Sequence, residues 1–247
     1  LCMRIVGCSR GGPGTNIIRK STNGGSTWTT LTNGLPASLA GRTQLAISQT
    51  DPLTLYASIS KSSNNSLLGL YRTTDGGGTW TLQNSSVNYL GSQGWYDNAI
   101  TVHPTNPDVI VVGGLDVFTS FDGGVNLTQV TRWFTNNSIE MSHADIHFLG
   151  FNGPKLYCGS DGGVYKSTDE GGSWSDLNAT LSTLQYQSAD YDPTNPQNLY
   201  GGCQDNNLQT SSDGGATWIQ RETGDGGYSI VDPVNPAIVY GQYVGGS

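Results

Sequence analysis

The chain has 247 residues, only 12% of them charged, and a formal net charge of −8. Binding to nucleic acid is not expected, because attraction to phosphate backbones needs clustered Lys and Arg. Insertion into a membrane is not expected either, since no apolar run approaches the ~20 residues of a spanning helix. The 35 Gly and the abundant Ser, Thr and Asn are typical of an all-β protein with many tight turns, and the low charge favours a secreted or cell-surface location.

Short runs of β-branched and aromatic residues alternate with Gly, Pro and Asn along the chain. This pattern predicts short antiparallel strands joined by hairpins. The strands fall into groups of four, and those of the fourth group are predicted at residues 143–149, 155–159, 164–167 and 173–177. The second strand of each group is predicted at about residues 3–8, 53–59, 108–114, 155–160, 198–203 and 237–243.

One eight-residue phrase occurs five times between predicted third and fourth strands, and we call it the repeated turn. Its copies span residues 21–28, 73–80, 120–127, 167–174 and 211–218. The third position is Asn23, Asp75, Asp122, Asp169 or Asp213, at spacings of 52, 47, 47 and 44 residues. Four copies close on a tryptophan, namely Trp28, Trp80, Trp174 and Trp218. Such a period indicates stacked similar units, and we expect these residues to be structural, the acid bonding the turn amides and the Trp packing between sheets.

A second motif recurs between the first and second strands of a group. It is a Pro-containing turn at residues 51–52, 103–107, 192–196 and 232–236, and proline there ends a strand because it cannot continue the ladder. The two motifs recur with the same period, and together they predict a β-propeller of four-stranded blades around a central channel. A parallel β-helix or a tandem array of sandwiches is the alternative. About five blades are expected, at residues 1–43, 44–96, 97–142, 143–184 and 185–226, with a further blade starting at 227–247.

The phrase Ser-x-Asp-x-Gly-x-Thr-Trp resembles the Asp-box (BNR) repeat of sialidases, xyloglucanase-type glycoside hydrolases and sortilin-type receptors. The copy at 211–218 matches in full, whereas the copy at 120–127 ends in Asn126 and Leu127. The Asp-Pro-Thr-Asn-Pro turn, followed by Leu-Tyr-Gly-Gly at 199–202, is similar to the xyloglucanase and sortilin branch and to related secreted bacterial propellers. The resemblance implies a propeller of roughly six to ten blades. The chain is therefore expected to begin inside one blade, to end inside a sixth, and to be covalently part of a larger chain.

Turns alternate between the two ends of a four-stranded blade, which divides the loops into two faces. The repeated turn and the Pro-containing turn share one face, and the second-to-third turns share the other with the long connections between blades. On that second face, Trp95, Tyr96 and Trp133 lie in long connections where no repeat requires an aromatic side chain. We expect them either to stack on a sugar ring or an apolar partner, or to fill gaps over the channel.

Carboxylates gather on the same face. First strands line the channel of a propeller, so these groups are expected to converge at its mouth, where crowding raises carboxyl pKa values. A glycosidase needs two carboxyl groups about 5–10 Å apart; the catalytic candidates, with no pair assigned, are Asp97, Asp145, Asp161, Asp205 and Asp225. Asp116 and Asn206, in second-to-third turns, join the three aromatic residues as candidate ligand-binding groups. Each turn Asp is alternatively a hydrogen-bonded structural residue.

His143, Asp145 and His147 alternate within a predicted innermost strand, so a period of two places all three on one face. Two imidazoles and a carboxylate can bind a transition metal ion, or can form a hydrogen-bonded polar strip between blades. No other feature requires a cofactor. Cys158 and Cys203 lie about one repeat apart, and buried thiols are favoured over a disulfide.

Three functions remain open. The favoured one is an extracellular recognition module that binds a glycan or a protein partner through Trp95, Trp133 and the acidic mouth of the channel. The second is a glycoside hydrolase that uses paired Asp residues as acid and base on a polysaccharide, so enzymatic activity is undecided. The third is a structural propeller of a surface layer or filament. A sialidase is disfavoured, because the Arg-Ile-Pro motif of that family is absent.

Overall fold

The structure, a computed structural model, describes residues 18–134, 143–181, 184–222 and 224–244. The strand predicted at residues 3–8 lies outside the described residues. The chain divides into two compact units, residues 1–160 with 164–179 and residues 161–163 with 180–247. No helix in the described ranges is long and apolar enough to cross a membrane.

The first unit contains four antiparallel sheets, each built from strands that follow one another in sequence. The first sheet consists of β1 (Ile18–Lys20) and β2 (Thr29–Leu31). The second consists of β3 (Ala40–Ile47), β4 (Leu55–Lys61), β5 (Leu67–Thr73) and β6 (Thr81–Asn84). The third consists of β7 (Ala99–Val102), β8 (Ile110–Gly113), β9 (Val117–Ser120) and β10 (Thr128–Gln129). The fourth consists of β11 (Ile146–Asn152), β12 (Lys155–Ser160), β13 (Gly163–Ser167) and β14 (Ser175–Asp176), followed by a 3₁₀ turn at Asn178–Thr180.

The second unit repeats the same plan. One sheet consists of β15 (Tyr186–Asp192), β16 (Asn195–Cys203), β17 (Leu208–Ser211) and β18 (Ile219–Gln220). The other consists of β19 (Gly226–Val231) and β20 (Val239–Tyr243). Four-stranded sheets in sequence order, with neighbouring strands antiparallel, are the blades of a propeller. The predicted all-β fold of four-stranded blades is therefore confirmed.

Alternate residues of a strand pack against different neighbouring blades. In β8, Ile110 and Val112 belong to a core cluster with Tyr56 of the preceding blade. The residue between them, Val111, belongs to a cluster with Ile146 and Leu156 of the following blade. Both faces of β8 are buried because its blade is stacked between the blades before and after it. This is why β8 consists of consecutive apolar residues instead of alternating with polar ones.

Cys158 and Cys203 are buried free thiols, as the sequence favoured. Cys158 is in the first unit, where burial raises the pKa of its thiol to about 12. Cys203 is in the second unit, and burial raises the pKa of its thiol as well. Neither thiol has the lowered pKa that a reactive cysteine requires.

The repeated turn is held together by its own side chains. The Oδ1 atom of the third residue accepts the backbone N–H four residues later, at 2.9, 2.9, 2.9, 2.8 and 2.9 Å in the five copies. The hydroxyl of the first residue accepts the N–H of the fifth residue at 2.8–3.0 Å. The closing tryptophans are less uniform, because Trp80 is buried while Trp28 and Trp218 are 37% and 36% exposed. In every copy the acceptor at the third position closes the turn.

The repeated turn lies beside the first-to-second turn of the same blade. In three blades a glycine N–H of the repeated turn donates to the carbonyl of the residue that directly follows that neighbouring turn. The pairs are Gly76 to Leu53 at 2.9 Å, Gly123 to Asp108 at 2.8 Å and Gly214 to Gln197 at 3.0 Å. The two motifs share one face of their blade, as expected, and the loops of the opposite face contain the candidate site.

The acceptor oxygen of the repeated turn is expected to provide the larger part of its stabilisation, and the negative charge a smaller part. Asp169→Ala should lower the free energy of unfolding by about 1–2 kcal/mol, because the backbone N–H of Ser173 loses its partner. Asp169→Asn should cost much less, since Asn23 makes the same bond to Thr27 in the first copy. Urea unfolding of both variants measures this difference, and equal losses would show that the charge is what matters.

Acid is expected to destabilise the protein through the same turns. Backbone and side-chain hydrogen bonds lower the pKa values of Asp75, Asp122 and Asp169, and lower that of Asp213 to about 2. A carboxyl group whose folded pKa is depressed stabilises the fold above its unfolded pKa, and this contribution disappears as the pH falls through the folded value. The urea midpoint should therefore fall steadily from about pH 4 to about pH 2.

The matched variant for this acid effect carries Asn at all four positions, Asp75, Asp122, Asp169 and Asp213. It keeps the acceptor oxygens but has no carboxyl group to titrate, so its urea midpoint should change less across the same pH range. Parallel curves for the variant and the wild-type protein would assign the acid sensitivity to other carboxyl groups.

Candidate functional site

The connection between β6 and β7 makes a tight turn that is held by backbone hydrogen bonds. The N–H groups of Tyr96 and Asp97 donate to the carbonyl of Gln93 at 2.6 and 3.0 Å. At the other side of the turn, the N–H of Gly94 donates to the carbonyl of Asn65 at 2.9 Å. The backbone that carries residues 93–97 is therefore satisfied internally and fixed in place.

Arg42 of β3 fastens the same turn. Its guanidinium donates to the carbonyl of Trp95 at 3.2 Å and also to the carbonyl of Tyr96. Partial burial lowers the pKa of Arg42, and the attraction of Asp97 opposes that shift. One rigid guanidinium thus holds two consecutive peptide groups at a fixed distance from the sheet.

Trp95, Tyr96 and His147 form a continuous group of rings, which we call the aromatic ledge. The rings of Trp95 and Tyr96 are 5.4 Å apart and tilted by 41°. The ring of His147, from β11, meets Tyr96 edge-on at 4.6 Å. Trp95 is 63% exposed although its backbone is pinned. An exposed aromatic side chain on a fixed backbone can bind a flat partner with little loss of conformational entropy.

Asp97 and Asp145 form a contacting pair of acidic side chains next to the ledge, which we call the carboxyl pair. Asp97 is fully buried, and within the described residues neither of its carboxyl oxygens receives a hydrogen bond from a donor. Burial, and then the charge and hydrogen-bond contact of Asp145, raise the pKa of Asp97 to about 8. Two carboxyl groups in contact bond to each other only when one is protonated, so the contact with Asp145 adds to the effect of burial on the pKa of Asp97.

The two members of the carboxyl pair are positioned by different interactions of the chain around them. Asp97 is followed by buried Asn98, whose Nδ2 donates to the Ser58 carbonyl at 3.2 Å and whose Oδ1 accepts from Ser58 Oγ at 2.7 Å. Asp145 has a φ of 64°, an uncommon value for a residue with a side chain. Its successor Ile146 starts β11, with its N–H bonded to the carbonyl of Gly114 at 2.7 Å.

The predicted strand containing His143, Asp145 and His147 begins later than expected. β11 starts at Ile146, the left-handed backbone of Asp145 precedes it, and its pairing shifts between Ile146 and Phe148. The alternation that would place all three side chains on one strand face is therefore wrong. His143 Nδ1 lies 3.2 Å from the carbonyl of Ala144, while His147 packs on Tyr96.

Asp116 and Trp133 form a second group in the first unit. The Asp116 carboxylate is buried and accepts hydrogen bonds from Gln129 Nε2 at 3.0 Å, Thr131 Oγ1 at 3.3 Å and the N–H of Trp133 at 3.0 Å. Burial raises the pKa of Asp116, and these bonds oppose the shift. The exposed ring of Trp133 meets Phe134 edge-on at 5.3 Å. Asp116 thus braces the connection that presents Trp133 and is not itself presented to a ligand.

The second unit contains the other predicted acidic residues. The Asp225 carboxylate accepts the N–H of Asp205 at 3.2 Å, which ties two loops together. Asn206 Nδ2 donates to the carbonyl of Asp161 at 3.1 Å and to the carbonyl of Gln204 at 3.3 Å. Within this unit, the side chains of Asp225 and Asn206 therefore stabilise loop conformations.

A cleft of about 380 Å³ in the second unit is lined by Tyr200, Arg221, Glu222 and Tyr240 among others. None of its lining residues was predicted as a site residue. Its walls include Val239, Tyr240 and Gly241 of β20, the outer strand of a two-stranded sheet. The cleft thus lies where the described part of the last blade has only two strands.

The first unit therefore brings together five predicted residues: Trp95, Tyr96, Asp97, Asp145 and His147. Gln93 completes the site and was missed in the sequence, because a single Gln in a polar connection has no distinguishing pattern. Its Nε2 donates to Asp145 Oδ1 at 2.7 Å. The available signal was its place four residues before Asp97, in the same short turn.

No protein-family profile matches the sequence, and no curated protein matches it significantly. Among solved structures, the chain is similar to a GH74 xyloglucanase from Xanthomonas campestris, with 15% identity and a TM-score of 0.50 over 92% of this chain and 48% of that one. It is similar to a GH74 enzyme from Niastella koreensis, with 18% identity and a TM-score of 0.53 over 93% and 38%. YCF48 bound to D1 peptide gives 17% identity and a TM-score of 0.38 over 84% and 75%.

The chain spans 48% and 38% of the lengths of the two GH74 proteins. Identities of this size leave the active residues of those proteins without an established counterpart here, because one fold carries many functions. What the likeness shows, together with the four-stranded antiparallel sheets, is that this chain has the fold of a β-propeller.

Proposed function

We propose that the chain is part of a secreted or cell-surface β-propeller module that binds a polysaccharide through the aromatic ledge. The observation that carries the proposal is the 63% exposure of Trp95 on a turn that Arg42 and backbone bonds hold rigid. Trp95 and Tyr96 lie in contact and are both exposed, and contiguous exposed apolar patches mark interaction sites. The low charge of the sequence agrees with an extracellular location.

Sugar rings match the chemistry of the ledge. The C–H face of a pyranose is apolar and stacks on an indole, while its hydroxyl groups need donors and acceptors at the rim. His147 lies at the edge of the ledge, and Asp145 and Gln93 lie next to it. A polysaccharide thus fits this surface better than a purely apolar partner does.

Hydrolysis is the second candidate, and the carboxyl pair itself argues against it. The separations used by retaining and inverting glycosidases are about 5–10 Å, which leave room for the sugar or a water. Asp97 and Asp145 are instead in hydrogen-bond contact, the arrangement in which two acids share one proton. A hydrolase would need a second carboxylate outside this pair.

Electrophoresis through gels containing single polysaccharides, including xyloglucan, tests the proposal. The wild-type protein should be retarded by at least one of them, and Trp95→Ala should migrate as in an empty gel. Trp218→Ala is the matched control, because that ring is also partly exposed but closes a repeated turn. Equal retardation of Trp95→Ala and wild type would contradict binding at the ledge, and release of reducing sugar would favour the hydrolase.

A further inference from the structure

We propose that Asp97, Asp145 and Gln93 form a binding site for a calcium ion in the first unit. The site differs from the His143, Asp145 and His147 cluster of the sequence, because it uses oxygen ligands from two connections between blades. It stands on geometry and burial, and is independent of what the aromatic ledge binds.

The carboxyl group of Asp97 lacks a hydrogen-bond donor in the described part of the chain. Its side chain is fully buried and both carboxyl oxygens lack a donor among the described residues. Buried polar groups in folded proteins are almost always satisfied, and exceptions indicate a water or an ion. Arg42 is the cation that acts on Asp97, yet its guanidinium is bonded to the carbonyls of Trp95 and Tyr96. Arg42 therefore gives Asp97 no hydrogen bond, and the ionised form of this carboxyl group is left for a second cation.

The backbone of Asp145 also positions its carboxyl group. Its φ of 64° is a left-handed conformation, which is uncommon for a residue with a side chain. The backbone is fixed there by the bond from Ile146 N–H to the Gly114 carbonyl. The resulting arrangement brings the Asp145 carboxyl group against that of Asp97, although two acids repel each other unless something lies between them.

The side-chain amide of Gln93 adds a third oxygen atom to the two carboxyl groups. Its Nε2 lies 2.7 Å from Asp145 Oδ1, so a half-turn of the amide would bring its Oε1 to the same point. Asp97, Asp145 and Gln93 then present oxygen atoms from both the 85–98 connection and the residue that precedes β11. Three convergent oxygen-bearing side chains, one of them buried and without a donor, form one side of a cation site.

The donor atoms favour calcium over the alternatives. Oxygen ligands suit hard cations, and calcium accepts irregular sets of six to eight oxygens whereas magnesium demands a near-octahedral set. Transition metals prefer imidazole, but the His147 ring packs against Tyr96. Asp145 and Gln93 are only partly buried, so water can complete the shell. We expect a Kd of about 10⁻⁴–10⁻³ M, as in extracellular calcium modules.

Calcium would also act on the ledge. The carbonyl of Gln93 accepts the N–H groups of Tyr96 and Asp97, so an ion held by Gln93 and Asp97 fixes both ends of the turn that carries Trp95. This consequence rests on the proposed function, whereas the ion site does not.

Terbium luminescence tests the site on the whole chain. Tb³⁺ replaces Ca²⁺ and is excited through nearby aromatic rings, and Trp95 and Tyr96 directly precede Asp97. We expect sensitised emission that Ca²⁺ displaces, with affinity at least tenfold weaker in Asp97→Asn. Glu222→Gln removes an exposed acid of the second unit and should bind like wild type.

Two results would overturn the proposal. One is emission that is equal in wild type and Asp97→Asn, which would mean adventitious binding to surface acids. The other is no Ca²⁺-displaceable emission from folded wild type, which would leave the pair neutralised by a proton. If Asp97→Asn does not fold, the Ca²⁺ displacement of Tb³⁺ emission is measured with Asp145→Asn instead. Emission equal to that of the wild-type protein would again overturn the proposal. If no polysaccharide retards the wild-type protein but Ca²⁺ still binds to it, only the proposed function is refuted.

Discussion

Gly202→Ala is expected to lower the free energy of unfolding of the second unit by about 3 kcal/mol or more. Gly202 lies in β16, and a Cβ atom added there would overlap the backbone carbonyl of Gly227 in β19. Backbone cannot move aside as a flexible side chain can, so the strands of adjacent blades must separate. The Leu-Tyr-Gly-Gly sequence at 199–202 is thereby explained as a point of close approach between blades.

Gly159→Ala is the matched control for this packing effect. Gly159 follows the same Leu-Tyr pattern in β12, but an added Cβ would meet only Phe148 Cβ at an ordinary 3.5 Å. Its effect on unfolding should be within about 1 kcal/mol. Thermal unfolding followed by calorimetry measures both variants, and equal midpoints for Gly202→Ala and Gly159→Ala would contradict the close approach.

Asp97→Asn is expected to raise stability in calcium-free buffer by about 1–3 kcal/mol at pH 8, the cost of burying an unsatisfied charged group. The raised pKa fixes the pH dependence. In the folded protein the pKa of Asp97 is about 8, whereas in the unfolded chain it is about 3.9. The wild-type protein therefore loses stability as the pH rises between these values, while the Asn variant does not titrate.

The gain from Asp97→Asn should accordingly be small at pH 4, grow up to about pH 8 and then level off. Urea unfolding with a chelator present gives the two curves. Saturating calcium should reverse the order, because only the wild-type protein gains the ion. A constant difference between wild type and variant from pH 4 to pH 9 would show that Asp97 is satisfied by a partner and is not a buried acid in contact with Asp145.

The architecture followed from the sequence because two independent motifs recur with one period. The repeated turn needs an acceptor at its third position and the first-to-second turn needs Pro, so both are local and visible in the residues. The Gly76 to Leu53 bond shows them together on one face. The candidate site, with Trp95, Asp97 and Asp145, lies in the loops of the opposite face.

The contacts within the candidate site depend on the tertiary structure and could not be predicted from the sequence. The contact of Asp97 with Asp145 joins residues from different blades, and no spacing along the chain encodes it. The pattern of His143, Asp145 and His147 gave a wrong prediction. Side chains alternate between two faces only within a strand, and β11 begins at Ile146. Gln93 was missed for a similar reason, since its importance comes from the Asp145 carboxylate beside it.

The central claim is that the pinned, exposed ring of Trp95 is the binding surface, and one calorimetric titration tests it most directly. An oligosaccharide of the polysaccharide that retards the wild-type protein is titrated into wild type, Trp95→Phe and Trp95→Ala. A tenfold change in Kd corresponds to about 1.4 kcal/mol, close to the contribution of one stacked ring. We predict that Phe keeps most of the affinity and that Ala loses at least tenfold. Equal Kd values for Ala and wild type would contradict the account.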